Sequence, residues 1–423
     1  MSNQARQTQS HIYIHGLSGK KPSIPFHFEE LERLAQNQLS AEAFAYVAGG
    51  AGREDTELRN REAFRQYHIL PKMLDGKVEA DLSIELFGDT YQHPFFLAPI
   101  GVLDMAYPKG DQLTARAAAA TETPMIFSNQ ASAPMEECAR EMGNHPRWFQ
   151  LYWSQSDELV QSLVQRAEKT GAKAIVVTLD TTQLGWRPRD LKLAYLPFLR
   201  GMGIAQYTSD PVFQKMLDEG AGKALANAPQ PRFNLTTLRN ALAQKRNYPG
   251  SFWSNLFSDR ATRAVRLFIN IYARPDLSWE DLPKLRSYTS LPIVLKGIMH
   301  EDDAQKAKDL GMDGIIVSNH GGRQVDGAAA ALTALPRITQ RVGRDFPVMM
   351  DSGIRSGTDA MKALALGAKA VCIGRPYVYA LGIGGQSGVE DLIRYYRAEL
   401  ELNMSLSSVR AVSDLDPHIF EPS

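Results

Sequence analysis

The sequence predicts a single (β/α)8 barrel with a helical segment at its N-terminus and one long insertion after the fourth strand. Two observations predict it. From Pro94 onward, eight short apolar runs alternate with helix-length polar–apolar segments, the rhythm of a parallel sheet built from βα units. The polar residues that end those runs also fall repeatedly on the same side, at the C-terminal end, where such a barrel carries its chemistry.

Residues 1–27 read as a loosely tied arm. Met1 to Ser10 is polar and lacks the apolar core of a signal peptide. Residues 28–93 read as an N-terminal helical segment. Leu31 and Leu34 share one side of a helix from Phe28 to about Gln36, and Ser40 is the N-cap of a second helix through Ala43, Phe44 and Val47. Gly49-Gly50 should end that helix with a left-handed C-cap. Tyr46, in its last turn, reads by itself as a packing tyrosine.

The barrel proper spans 94–400. Its strands are Phe95–Ala98, Met125–Phe127, Trp148–Tyr152, Ala174–Asp180, Ile293–Lys296, Ile315–Val317, Val348–Asp351 and Ala370–Ile373. Helical spacers such as Glu158–Thr170 and Asp302–Leu310 lie between them. The gap between Asp190 and about Trp279 is far too long for a barrel loop. With Pro197, Phe198, Tyr207, Phe213, Trp253 and Phe257 it is no low-complexity filler. It reads as an insertion over about 190–280 that folds across the mouth as a lid, the alternative being a surface excursion for subunit contacts. Residues 401–423 form a tail ending Glu421-Pro422-Ser423, which is not a peroxisomal address.

Composition narrows the function classes. Lys+Arg and Asp+Glu are both 47, a formal net charge of +0 that offers no electrostatic footprint for nucleic acid or an anionic membrane. No apolar run reaches membrane-spanning length. The two cysteines, Cys138 and Cys372, are too few and too far apart for a disulfide framework or a zinc site; they read as buried free thiols in a reducing compartment. No metal is expected, and cytoplasm is the default location.

The strand ends carry Ser128, Gln150 and Tyr152, Thr178 and Asp180, Lys296, His320 and Asp351. The stretch Gly314 to Gln324 is the sharpest. A β-branched run, Ile315-Ile316-Val317, breaks into Ser318, Asn319 and His320, then Gly321, Gly322 and Arg323. A lone histidine after a strand is ordinarily a hydrogen-bonded polar residue, but here the other strand ends converge with it. At the last two strands, Asp351-Ser352-Gly353-Ile354-Arg355 and Gly374-Arg375-Pro376 occupy the usual phosphate position of this barrel. Glycine amides and two guanidinium groups suit an anion there. Spacing alone does not separate a flavin mononucleotide from another phosphorylated ligand.

In these motifs the chain resembles the FMN-dependent α-hydroxy-acid oxidoreductases, from about Phe28 to Leu406. Ser318-Asn-His-Gly-Gly-Arg-Gln324 is the most specific motif, seconded by Leu295-Lys-Gly297, Asp351–Arg355 and Ile373-Gly-Arg-Pro376. Tyr46–Gly50, Ala98–Gly101, Leu184–Asp190 and the segment after it, with Tyr195–Arg200 and Asp210–Phe213, are most similar to the lactate-monooxygenase branch of that family.

The resemblance implies FMN as cofactor, a small 2-hydroxy acid and oxygen as reactants, and a homo-oligomer, tetramer or octamer. It implies His320 as the base, Asp180 as its charged partner, and Arg187 and Arg323 as clamps on the substrate carboxylate. Tyr46 would add a bond to that carboxylate, and Tyr152 would bond the substrate oxygen. Lys296 would face the flavin edge where negative charge collects on reduction. Ser128, Gln150, Thr178 and Ser318 would surround the ring edge, with Ala98, Pro99, Ile100 and Gly101 along one face. Asp351, Gly353, Arg355, Gly374 and Arg375 would serve the phosphate end. Oxidation with decarboxylation of the bound keto acid is the leading reading. A plain oxidase releasing keto acid and hydrogen peroxide is the alternative, and an idle flavin-binding module the reading from another class. Asn129, Gln130 and Asp104 are more polar than the resemblance leads one to expect beside a methyl group, which puts lactate itself in question.

Overall fold

The structure, a computed structural model, describes residues 4–74, 79–223 and 234–421. Residues 224–233 of the expected insertion and the last two residues of the expected tail lie outside the described residues.

A short antiparallel hairpin, β1 (Ile84–Leu86) and β2 (Asp89–Tyr91), precedes eight parallel strands. These are β3 (Phe95–Leu97), β4 (Met125–Phe127), β5 (Arg147–Leu151), β6 (Ile175–Thr178), β7 (Ile293–Ile298), β8 (Gly314–Val317), β9 (Val348–Met350) and β10 (Ala370–Ile373). They pair in chain order, and β10 closes on β3. Each expected apolar run is one of these strands within a residue or three at its ends. Most of their residues are fully buried, as strands covered on both faces require.

Register explains why the polar ends meet. Thr178 on β6 pairs with Lys296 on β7, and the β7–β8 pairing shifts between Lys296 and Ile298. Gly297 sits at that irregularity with φ +108°, and a Cβ there would lie 2.9 Å from Asp180 Cβ. Glycine therefore lets the loop after β6 fold inward and bring its carboxylate over the barrel axis.

The hairpin plugs the opposite end. Phe87, at its turn, packs 5.6 Å from the Trp148 ring and would touch any Cβ placed on Gly314. Trp148 Nε1 donates to the Tyr91 hydroxyl at 3.1 Å. The sequence reading had only helices before the barrel and missed this hairpin.

Two further expectations need correction. Residues 4–16 form a helix rather than a loose arm. It is tied down where Ala5 N–H donates to Glu401 at 3.0 Å and Arg397 donates to the side-chain oxygen of Gln4 at 2.9 Å. The helix Ala41–Ala48 ends as expected at Gly49, but without a left-handed cap: Gly49 has φ −60° and ψ 141°. Space is the reason for the next glycine, because a Cβ on Gly50 would lie 3.2 Å from the Gly322 carbonyl. The long helix that opens at Arg375 runs through a kink at Gly385 to Leu406, and the tail beyond bridges back to Asp81 and Ile69.

One buried cation helps to dock the insertion. Arg166, on the helix Asp157–Lys169, bonds Glu136 at 2.9 and 3.0 Å and Asp210 at 3.0 Å. Asp210 caps the insertion helix Pro211–Asp218 with its other oxygen. Further along, the helix Arg260–Ile271 buries Phe268 and lays that face over the barrel mouth.

Candidate active site

At the C-terminal mouth the loop after β8 carries His320 in the left-handed region, φ +59°. Such backbone costs about 1–3 kcal/mol for a non-glycine residue and persists only where its surroundings enforce it. Here Ser318 Oγ accepts the His320 N–H at 3.1 Å, and Ser352 Oγ accepts the N–H groups of Asn319 and Gly321 at 3.3 and 2.9 Å. Asn319 is locked in turn by reciprocal 2.8 Å amide bonds with Asn60. The result aims His320 Nδ1 at Asp180 Oδ1, 2.9 Å away. That pairing puts the proton on Nδ1 and leaves Nε2 as the basic nitrogen.

Burial holds the His320 imidazole below its ordinary pKa, against the opposing pull of Asp180 and with added lowering from Lys296 and Arg187. Burial would raise the Asp180 carboxyl, but His320 and then Lys296 outweigh it and keep the group below the usual carboxylate range. Among the described residues its second oxygen has no hydrogen-bond partner. Lys296 is buried yet charged: Asp351 Oδ2 lies 2.9 Å from its Nζ, and Asp351 and Asp180 together overcome the desolvation that would otherwise discharge it. Lys296 also donates to Ser318 Oγ at 2.9 Å.

The arginines beside this centre are arranged differently. Arg323 donates to the carbonyl of Gly49 at 2.7 Å and stands 5.3 Å from the Tyr46 ring centre. Arg187 donates to the Arg323 carbonyl at 3.2 Å and to Gln324 Oε1 at 3.1 Å. Arg375 donates to the carbonyls of Val47, Gly321 and Gly49. All three are buried, and among the described residues none has a carboxylate within ion-pair distance. Burial, then Arg187 and Arg375, push the Arg323 guanidinium well below its ordinary range. A cluster of this kind is built for anions that come from elsewhere.

One cavity joins these groups. Its lining includes Tyr46, Ala98, Pro99, Ile100, Gly101, Tyr152, Arg187, Lys296, His320 and Arg323, together with Asp351, Gly353, Arg355, Gly374 and Arg375. Burial raises the Tyr46 hydroxyl and pushes Tyr152 up to about 12, Asp180 adding to the latter, so both stay protonated donors. Ser128, Gln150, Thr178 and Ser318 stand behind the lining. Ser128 donates to Gln150 Oε1 at 3.2 Å and Gln150 Nε2 to Thr178 at 2.9 Å, a buried chain across three strand ends.

The sequence reading needs adjusting at three places. Asp104 is outside the cavity lining; its carboxylate accepts the Gly110 N–H at 2.9 Å and caps the following helix. Asn129 is likewise turned to structure, accepting the Tyr152 N–H at 2.7 Å, and only Gln130 reaches the cavity. At the phosphate end, the helix Gly357–Ala365 cannot offer its first amides to an anion, because Glu399 accepts from Gly357 and Thr358. Arg355 also has a carboxylate partner, Glu57 at 3.2 Å, although its Nε is buried without one. The open helix start is the one at Gly374-Arg375, which has no side-chain cap.

Sequence reasoning passed over two contributors. Gln324 donates to the carbonyls of Asp180 and Gln183 and accepts from Gly185 and Arg187, tying the β6 loop to the β8 loop. The insertion supplies Leu196, Phe198, Phe268 and Tyr272 to the cavity wall. Gln324 was legible as the last residue of the His320 motif; the wall residues carried only an apolar signal.

These residues fit a flavin mononucleotide. Arg375, a buried guanidinium with no carboxylate at ion-pair distance among the described residues, and the uncapped helix start it opens suit its phosphate, and a charged lysine with protonated tyrosines and a histidine–aspartate pair suits a redox ring at the other end. Among the described residues there is no cluster able to hold a metal ion, and no helix is long and apolar enough to cross a membrane.

Comparison with known proteins agrees. The chain matches the family described as FMN-dependent dehydrogenase over residues 35–422. An FMN-dependent alpha-hydroxy acid dehydrogenase of Schizosaccharomyces pombe is 40% identical over 96% of this chain and 94% of its own. An L-lactate oxidase of Lysinibacillus sphaericus is 36% identical over 96% and 95%. Among solved structures, mandelate oxidase with (S)-4-hydroxymandelic acid superposes with a TM-score of 0.76 at 32% identity, covering 94% of this chain and 98% of that one. The strand-end histidine, its carboxylate and the anion-seeking arginines thus stand in a barrel matched over nearly its whole length, and the chain belongs to the FMN-dependent dehydrogenase family, with FMN as its cofactor and 2-hydroxy-acid oxidation as its chemistry.

Proposed function

We propose that this chain oxidises an L-2-hydroxy acid with oxygen as the final electron acceptor, and holds the keto acid long enough for it to be oxidatively decarboxylated. The observation that carries the first part is the pairing of a carboxylate-held imidazole with two buried guanidinium groups that have no carboxylate at ion-pair distance among the described residues. FMN, when bound, would supply the acceptor for the two electrons and for the hydrogen that His320 does not take, with oxygen as the oxidant that regenerates it.

The protein's residues do the rest. Arg187 and Arg323 take the substrate carboxylate, with the Tyr46 hydroxyl as a further donor, so that charge and orientation are fixed together. Tyr152 donates to the substrate oxygen. His320 Nε2 accepts the proton released as the hydroxy acid becomes a keto acid, and Asp180 stabilises the imidazolium that results. Lys296 keeps a fixed positive charge beside the cofactor, favouring the form that carries more electrons. Ser128, Gln150 and Thr178 back the ring edge, while Gly353, Arg355, Gly374 and Arg375 hold the phosphate.

Retention of the keto acid is favoured by the insertion, whose aromatic wall covers the cavity. A second reading, release of keto acid and peroxide, is favoured by the relatives named L-lactate oxidase. Anaerobic mixing of the purified yellow protein with a panel of L-2-hydroxy acids tests the first step, bleaching of the flavin being the expected result. Peroxide formed per oxygen consumed then separates the two fates, with a yield well below one for decarboxylation.

A further inference from the structure

Asp180 Oδ2 and Thr181 Oγ1 lack partners among the described residues, but most polar side chains around the reacting centre are committed, to one another or to an incoming carboxylate. Gln130 is not. It is 8% exposed and lines the cavity, yet neither atom of its side-chain amide has a hydrogen bond among the described residues. Its backbone is fixed, the N–H donating to Ser128 Oγ at 3.1 Å and the carbonyl accepting from Val102 at 2.9 Å. A primary amide held in this way offers one acceptor and two donors to whatever lies in the cavity.

The insertion sets what lies beside it. Gln206 fastens the insertion to the β4 loop, donating to the carbonyls of Ser128 and Ala133 and accepting from Met135 at 3.0 Å. Ala205 N–H adds a bond to the Ala131 carbonyl at 3.1 Å. At Gly203, φ +70°, a Cβ would lie 3.0 Å from both the Gln130 carbonyl and the edge of the Phe198 ring. From Phe198 an aromatic row follows: Phe268 at 5.3 Å between ring centres, then Tyr272 stacked on Phe268 at 5.0 Å. The Tyr272 hydroxyl is in turn close enough to Arg187 to feel its charge. The wall therefore runs, under apolar rings, from the carboxylate clamp to Gln130.

Resting on the hydroxy-acid reading above, we infer that Gln130 selects the substrate at its far end. The substrate is a 2-hydroxy acid with a ring-sized apolar side chain that ends in a hydroxyl or another hydrogen-bonding group. A methyl side chain would leave the aromatic row uncovered and the amide unpaired. A site built to pair a hydroxyl discriminates strongly against the same molecule without it.

The test uses two acids that differ by one hydroxyl, L-3-phenyllactate and L-3-(4-hydroxyphenyl)lactate, with L-lactate as the small reference. Wild type and Gln130→Met, both loaded with FMN, are titrated anaerobically for binding by flavin absorbance and then mixed rapidly to follow flavin reduction. In wild type the hydroxylated acid should bind at least 10-fold more tightly than its twin, and lactate should bind least. In Gln130→Met that ratio should fall to within about two-fold, with FMN content and melting temperature retained. An equal ratio in the two proteins, or lactate as the tightest ligand, overturns the inference. So does a loss of FMN on substitution, which would assign the amide to the cofactor. Gln130-dependent binding without bleaching would keep the inference and sink the oxidation step instead.

Discussion

Lys296 and Arg323 are both buried cations at the mouth of one barrel, and the protein treats them in opposite ways. Lys296 has its counter-ion built in, with Asp351 at 2.9 Å and Asp180 close enough to raise its pKa further. Arg323 bonds neutral carbonyls and stands over a tyrosine ring, with Asp190 as a distant, weaker anion beyond ion-pair distance and Arg187 and Arg375 as unfavourable neighbours. The first arrangement keeps a charge fixed through a reaction cycle. The second leaves desolvation uncompensated until an anion arrives. The difference divides the mouth into a self-neutralised half, to which we assign the electrons and protons, and a half left open for the proposed carboxylate and phosphate.

The largest effect should come from the first half. His320→Gln removes the base but none of the anion contacts, so FMN should stay bound while flavin reduction by a good substrate slows by roughly two to four orders of magnitude. Stopped-flow reduction checks it; similar rates in the two proteins would take His320 out of the chemistry. Breaking the lysine pair comes next. Lys296→Met strands the Asp351 carboxylate, at a cost of ~3–5 kcal/mol for a buried pair, read as a drop in denaturation midpoint. Arg323→Met should do the reverse in the FMN-free protein, raising the midpoint, because it deletes a buried charge that has no carboxylate at ion-pair distance among the described residues and two like-charged neighbours. If both substitutions destabilise alike, the division drawn above is wrong.

Arg187→Met sharpens the contrast, since this group touches both halves. Loss of one charge-assisted bond to the carboxylate, worth ~1.5–3 kcal/mol, should raise the half-saturating substrate concentration by roughly 10- to 100-fold. The pH profile of kcat/KM should move as well. His320 must be neutral to accept a proton, so activity falls as pH drops through its pKa, which burial holds below the ordinary 6.5. Arg187 adds to that lowering. Without it the imidazole protonates more readily, and the acid limb should shift to higher pH. An unmoved limb with a raised KM would confine Arg187 to binding.

The barrel was legible because each strand is a short apolar run buried on both faces, and because the polar residue ending it sits in register with its neighbours, as Thr178 does with Lys296. The hairpin was not, since its strands are three residues long and its turn puts Phe87 at φ +55° where Asn or Gly would have given a signal. The helix Gln4–Gly16 buries only Ala5, so no apolar stripe announced it. The candidate site residues could be named, and Asp180 as the partner of His320 with them, but most of their other partners could not. Nothing local to Gly357 says that Glu399 closes that helix end, and nothing beside Asp104 says that its carboxylate caps a helix rather than facing substrate.

The smallest change tests how long the product stays. Gly101 follows the strand end that lines the cavity floor, and its φ is not in the left-handed region, so alanine meets no backbone objection. Its methyl would lie 3.1 Å from both the Cβ and the carbonyl oxygen of Gln130. That carbonyl is tied to Val102, and the next one to Ala205 of the insertion. The contact is therefore relieved only if the β4 loop and the insertion give together by a few tenths of an ångström, which loosens the wall over the cavity. Overpacking of this kind typically costs ~1–3 kcal/mol, and ~1.4 kcal/mol placed on product binding changes residence tenfold. Gly101→Ala should accordingly raise the peroxide yield per oxygen consumed and lower the yield of decarboxylated acid, with FMN content unchanged. A wild type that already yields one peroxide per oxygen would establish the oxidase reading. A low wild-type yield that the methyl does not alter would leave retention in place and assign it to the aromatic row of the insertion, where Phe198→Ala is the next substitution to measure.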